Sequence, residues 1–141
     1  MHPRAPSTAL KRGALSLSIL LAIVLAGSIA LPGQKTIYEA RSAYNHVIVK
    51  EDEDGRRYLL FSETGGYQSV RKPGDTAELE LPYSKSMMVG FGCVEDPKGI
   101  LIIGLGGGSI PSFLHARFPK ARIDCVDIDP EVISVAKKFF G

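Results

Sequence analysis

The sequence predicts an α/β fold in three parts: an apolar leader, a small antiparallel β-domain, and the opening of a parallel sheet. Three observations predict it. An uncharged run, Leu15 to Leu31, stands behind a basic stretch. Strand-like segments then follow from Thr36 to Lys72, separated by turn residues. Last, an apolar strand runs straight into a glycine cluster, with an acid at the end of the next strand. The parts are bounded at 1–33, 34–80 and 81–141.

The leader comes first. Residues 2 to 13 carry His2, Arg4, Lys11 and Arg12 and no acid, and LSLSILLAIVLAGSIAL follows before Pro32-Gly33 stops it. As a helix this run spans about 26 Å at about 1.5 Å per residue. That is slightly short of a hydrocarbon core of about 30 Å and slightly long for a signal-peptide apolar region of about 7–15 residues. Ser28-Ile29-Ala30 offers the small residues a signal peptidase reads. A buried core helix fits poorly, because the run is apolar on every face and its flank is basic. A cleaved signal peptide and a retained anchor both stay open. Either sends the remainder across the membrane, since the basic cluster precedes the span. The expected location is therefore membrane-anchored or exported (periplasmic or extracytoplasmic), with residues 15–31 as the membrane contact.

Beyond the leader the period becomes that of strands. TIYEAR (36–41) and YNHVIVK (44–50) are rich in β-branched and aromatic residues, and Glu51-Asp52-Glu53-Asp54-Gly55 is a solvated polar turn ending in Asp-Gly. RRYLLFSE (56–63), the turn Thr64-Gly65-Gly66 and YQSVRK (67–72) complete an antiparallel meander. Pro82 suits the first turn of a helix through Val94, with Met87 and Met88 as core filler.

ILIIGL (100–105) is a continuous apolar run, as expected for a parallel strand covered on both faces. Gly104, Gly106, Gly107 and Gly108 follow, then a helix over 110–118, a second strand over 123–128, and a helix to Phe140. Asp129 is the expected N-cap of that last helix, with Pro130 at its first position. Strand, glycine loop, helix, strand and helix make the first part of a Rossmann-like domain. Glycines belong where backbone turns tightly and approaches a ligand with no Cβ between. Asp127 follows Gly104 by about 23 positions, close to the spacing at which a carboxylate accepts from ribose hydroxyls. A capping network shared with Asp129 is the structural alternative for Asp127. The spacing Gly104-Leu105-Gly106-Gly107-Gly108 is G-x-G-x-G. It favours an adenosyl ligand over a dinucleotide, although Ser109 stands where a dinucleotide loop has its third glycine and is small enough to serve there.

Composition excludes other classes. A chain of 141 residues holds one domain, or one small domain and an appended segment. Its net charge of +2, with both signs interspersed, gives no footprint for nucleic acid. Cys93 and Cys125 have neither CxxC spacing nor a companion histidine, so two buried apolar thiols are expected rather than a disulfide framework or a metal site. His2, His46 and His115 are equally solitary.

ILIIGLGGGSIPSFL and VDIDPEVISVAKKFFG, with SAYNHVIVKED, YLLFSETGGYQS and LPYSKSMM upstream, resemble the spermidine synthase family and its bacterial spermidine-synthase-like relatives. The resemblance covers residues 37–141. It implies an adenosylmethionine methyltransferase-type Rossmann-like sheet behind a small N-terminal β-domain. The implied activity is aminopropyl transfer from decarboxylated adenosylmethionine to a diamine, in polyamine biosynthesis. It implies Asp127 on the ribose hydroxyls, and Gly104, Gly106 and Gly108 lining the adenosyl ligand. Gln68 and Tyr83 match positions near the substrate cleft, and Asn45 stands where the family commonly has Gln. A polyamine is the implied second ligand, and a homo-oligomer is left open.

Two departures accompany the resemblance. The family places an acid inside the glycine loop to receive the aminopropyl nitrogen, and the matching position is Gly107. A cation without that partner loses about 1.5–3 kcal/mol per charged hydrogen bond. The family's catalytic acid lies beyond the position matching Gly141, so no catalytic residue is assigned and a partial chain is expected. The strand at Ile100 would also keep a long unpaired apolar edge. An adenosylmethionine-dependent methyltransferase, or a non-catalytic adenosyl-binding relative, is the alternative. A membrane-tethered interaction fragment is a third reading.

Overall fold

A computed structural model describes residues 33–76 and 78–141. The leader, and with it the signal, anchor and membrane expectations, falls on residues outside this range. Among the described residues no helix is long and apolar enough to cross a membrane.

Four strands form the expected meander: β1 (Lys35–Arg41), β2 (His46–Glu51), β3 (Arg57–Leu60) and β4 (Tyr67–Arg71), each antiparallel to the next. Chemistry of the turns fixes the register. At the tip of β2–β3, the Asp52 carboxylate accepts from the backbone N–H groups of Asp54 and Arg56, and Gly55 takes φ +75°. Lys50 and Glu51 consequently pair with Tyr58 and Arg57. The Tyr58 hydroxyl donates to the other Asp52 oxygen at 2.7 Å, and this bond leads the effects that hold the Asp52 carboxyl below its ordinary range. The acidic run is thus a turn from Asp52 on, with Glu51 closing β2.

The central strands are buried on both faces, with Val47, Ile48 and Val49 consecutively inaccessible, and one face meets the end of the chain. Val47 and Val49, with Leu59 opposite Val49, are fully buried against Val132, Val135 and Phe140 from the end of the chain. Polar contacts tie the same surfaces. The Tyr38 hydroxyl donates to Glu131 at 2.6 Å, and the Arg57 guanidinium donates to both the Glu51 carboxylate and the Phe139 carbonyl. One core therefore draws on residues from both sides of the 80/81 boundary.

After β4, Pro82 opens a helix as expected, but α1 (Pro82–Met87) is short and continues as a 3₁₀ turn over Met88–Cys93. The sequence predicts one helix through Val94. Gly90 and Gly92 explain the difference, since each weakens a helix by about 1 kcal/mol relative to alanine. Cys93 is exposed and Cys125 only partly buried, both as free thiols, so the expected pair of buried thiols does not occur. Met87 is also no core filler: it is more than half exposed.

The second sheet pairs β5 (Gly99–Ile103) with β6 (Arg122–Val126) in parallel, Ile100 opposite Ile123 and Ile102 opposite Cys125. α2 (Ser109–Arg117) connects them, and α3 (Pro130–Val135) follows, widening into a π turn over Ala136–Phe140. Both strands end two residues before the bounds the sequence predicts, 105 and 128. At Gly104 the backbone swings to φ +90° and leaves the sheet. Ser112 of α2 and Ile133 of α3 border the face that carries Cys125. The opposite face, with Leu101 at 63% and Ile103 at 83% exposure, is uncovered among the described residues. The expectation of a strand covered on both faces holds for one face here.

Candidate functional site

The glycine loop and the end of β6 meet through two hydrogen bonds donated by loop N–H groups. The Gly104 N–H donates to the Val126 carbonyl at 2.8 Å, and the Leu105 N–H donates to Asp127 Oδ2 at 2.7 Å. Gly104, Gly106 and Gly108 all have positive φ, so the loop alternates through conformations that cost a side-chain-bearing residue about 1–2 kcal/mol each. Gly107 differs. Its φ is ordinary, but a Cβ there would lie 2.8 Å from Ser69 Oγ and 2.9 Å from Phe140 Cδ1. The loop is thus pressed against β4, where Ser69 Oγ and Ser109 Oγ are 2.8 Å apart.

Asp127 is half-buried with both oxygens engaged, Oδ2 by Leu105 and Oδ1 by the Asp129 N–H at 3.0 Å. An ionised carboxylate offers about four acceptor sites, so about two stay open on Asp127 for a ligand. Asp129 is fully buried and caps α3 by accepting from the Glu131 N–H at 3.0 Å. Its other oxygen accepts from Ser42 Oγ at 2.6 Å and Asn45 Nδ2 at 2.8 Å, both in the β1–β2 turn. Burial pushes the Asp129 carboxyl up. The bonds from Ser42, Asn45 and the backbone of Glu131 and Val132 outweigh it and hold the group below its ordinary value. The capping alternative for Asp127 is therefore real, and it coexists with a position on a cavity wall.

That cavity has a volume of about 440 Å³ and lies over the C-terminal ends of β5 and β6. Ligand sites typically occupy about 300–1,000 Å³. Gly104, Gly106, Asp127, Asn45, Gln68 and Tyr83 all line it, so the structure gathers most of the sequence candidates. Gly108 is the exception, placed one step on as the residue before α2. Asn45 turns its amide N–H groups toward Asp129, and the Gln68 amide donates to the Gly66 carbonyl at 3.3 Å. The Tyr83 hydroxyl donates to the Gln68 carbonyl at 2.7 Å, and burial pushes its pKa up.

Sequence reasoning missed the apolar part of the lining, Phe61, Met87, Ile110 and Ile128. Met87 had a signal: it stands four residues after Tyr83 and so shares that face of α1. Among the described residues the lining holds one carboxylate, several hydroxyl and amide groups, and no Lys, Arg or His. Such a surface suits a ligand with hydroxyls and an apolar ring, neutral or cationic, and offers no cation for a phosphate. Among the described residues no cluster of His, Cys, Asp or Glu could hold a metal ion.

No family model matches the chain. It is 35% identical over 111 residues to the polyamine aminopropyltransferase of Vibrio vulnificus, covering 77% of this chain and 37% of that protein. It is 40% identical over 74 residues to the eEF1A lysine and N-terminal methyltransferase of Mus musculus, 48% of this chain and 11% of the other. A probable spermidine synthase from Corynebacterium glutamicum superposes with a TM-score of 0.59 at 18% identity, over 78% of this chain and 40% of its own. A spermidine synthase in complex with the transition-state analogue AdoDATO gives 0.54 at 22% identity, over 74% and 34%. The fold is of the methyltransferase-like α/β class to which spermidine synthases conform. These matches support a spermidine-synthase-like family, over part of its members' length. The chain spans well under half the length of the aminopropyltransferase it matches.

Proposed function

We propose that the complete protein is a spermidine-synthase-like transferase, and that the cavity over β5 and β6 holds an adenosyl co-substrate. One observation carries this reading. Asp127 sits on the cavity wall with its carboxylate fixed by the Leu105 and Asp129 N–H groups, in a lining free of cations. A carboxylate so held presents lone pairs to two vicinal hydroxyls, and the glycines let the loop backbone approach without intervening side chains. The adenosyl donor, decarboxylated adenosylmethionine or adenosylmethionine, supplies a carbon bonded to a sulfonium. The residues of this chain bind and orient it, and no proton acceptor is assigned among them.

Aminopropyl transfer to a polyamine is the reading the aminopropyltransferase relatives favour. Methyl transfer is the second, and Gly107 is the observation that favours it. That position has no space for a side chain, so the loop offers no carboxylate to a terminal ammonium. Calorimetric titration of the full chain with 5′-methylthioadenosine, decarboxylated adenosylmethionine and adenosylmethionine tests both. Binding of the thioether nucleoside supports the adenosyl site, and the order of the two sulfonium ligands chooses between the transfers. No binding of any of the three would discard the reading.

A further inference from the structure

We propose, resting on that adenosyl reading, that Ser42 is a positioning residue for the ribose-binding carboxylate, although it lies in the turn between β1 and β2 and does not line the cavity. The path is short and continuous. Ser42 Oγ donates to Asp129 Oδ2 at 2.6 Å, and Asn45 Nδ2 donates to the same oxygen at 2.8 Å. The backbone N–H of Asp129 then holds Asp127 Oδ1 at 3.0 Å, while Leu105 of the glycine loop holds Oδ2.

Each link has a physical reason to be stiff. Asp129 is fully buried, so its carboxylate must keep its donors or remain an unsatisfied charge in the interior. The Ser42 hydroxyl is itself aimed, because its oxygen accepts the backbone N–H groups of Tyr44 and Asn45 at 3.0 and 2.9 Å. The turn between β1 and β2 thereby sets where Asp129 sits, and Asp129 sets the tilt of the Asp127 carboxylate. Two hydroxyls on adjacent carbons need a carboxylate at a defined angle, so a loosened Asp127 loses discrimination for the diol before it loses the rest of the ligand.

The test compares adenosine with 2′-deoxyadenosine, titrated into the full chain and into Ser42→Ala. Wild type is expected to prefer adenosine by about tenfold, the value of one hydrogen bond to a charged group. In Ser42→Ala the preference falls to about threefold or less, with affinity for 2′-deoxyadenosine nearly unchanged. General destabilisation would weaken both nucleosides equally and leave the ratio alone, and that result overturns the proposal. Asp129→Asn keeps a competent N-cap and serves if Ser42→Ala fails to fold. Its ratio should fall likewise, and an unchanged ratio overturns the proposal equally. If wild type binds neither nucleoside, the adenosyl reading fails and takes this inference with it; if wild type discriminates and the variants do too, only the inference fails.

Discussion

Gly107 packs so tightly on Ser69 that a methyl group on its α-carbon would stand 2.8 Å from the serine oxygen. Backbone conformation does not require glycine here, since φ is ordinary; space does. Gly107→Ala is expected to destabilise the fold by about 1–3 kcal/mol, the usual cost of overpacking. Urea unfolding measures it, and Ser69→Gly in the same chain should recover part of the loss. An alanine variant as stable as wild type would show that β4 yields easily and that the loop is not confined.

Phe140 is the other wall of that contact and is fully buried among Val47, Val49 and Leu59. Phe140→Ala should cost about 3–5 kcal/mol. Its cost should be smaller in the Gly107→Ala background, because the ring is one of the groups the new methyl strikes. The coupling between the two changes is expected at about 0.5–3 kcal/mol. Strict additivity in a double-mutant cycle would contradict the packing described here.

Asp127→Ala removes the carboxylate from the cavity wall and leaves the Leu105 and Asp129 N–H groups without their acceptor. Adenosyl affinity should drop by about 10- to 100-fold, corresponding to one charged hydrogen bond or slightly more. Titration with 5′-methylthioadenosine reads this directly. Undiminished affinity would relegate Asp127 to the capping of α3.

Asp129 makes stability depend on acid. Its folded-state pKa is held below the ordinary 3.8, so the unfolded chain takes up the proton first as pH falls. The stabilisation is complete above that ordinary value and drains away as pH drops through the folded-state value. Urea midpoints compared at about pH 5 and about pH 3 should fall more for wild type than for Asp129→Asn. Equal falls would assign the acid sensitivity to other carboxylates.

Much of this was legible from local chemistry. Asp52 through Gly55 announced a turn and Asp129-Pro130 announced a capped helix start; each depends on neighbours in sequence. What sequence pattern could not convey was which faces find cover. Leu101 and Ile103 lie in an apolar run that looks buried on both sides, yet one side is open among the described residues. The same holds for the site. Gln68 and Tyr83 carry no local signal that would join them to Gly106, and they entered through family resemblance alone. Ser42 and Asn45 reach Asp129 across more than eighty residues, as a tertiary hydrogen bond that no local pattern encodes.

The clasp between the meander and the final turn has a consequence for synthesis. Val47, Val49 and Leu59 lie on strands complete by Arg71, but their covering side chains arrive only with Val132, Val135 and Phe140. At a ribosomal pace of about 5–20 residues per second, the intervening chain takes about 4–14 seconds to appear. A sheet formed in that interval would present an aliphatic surface that the chain's own later residues have yet to cover.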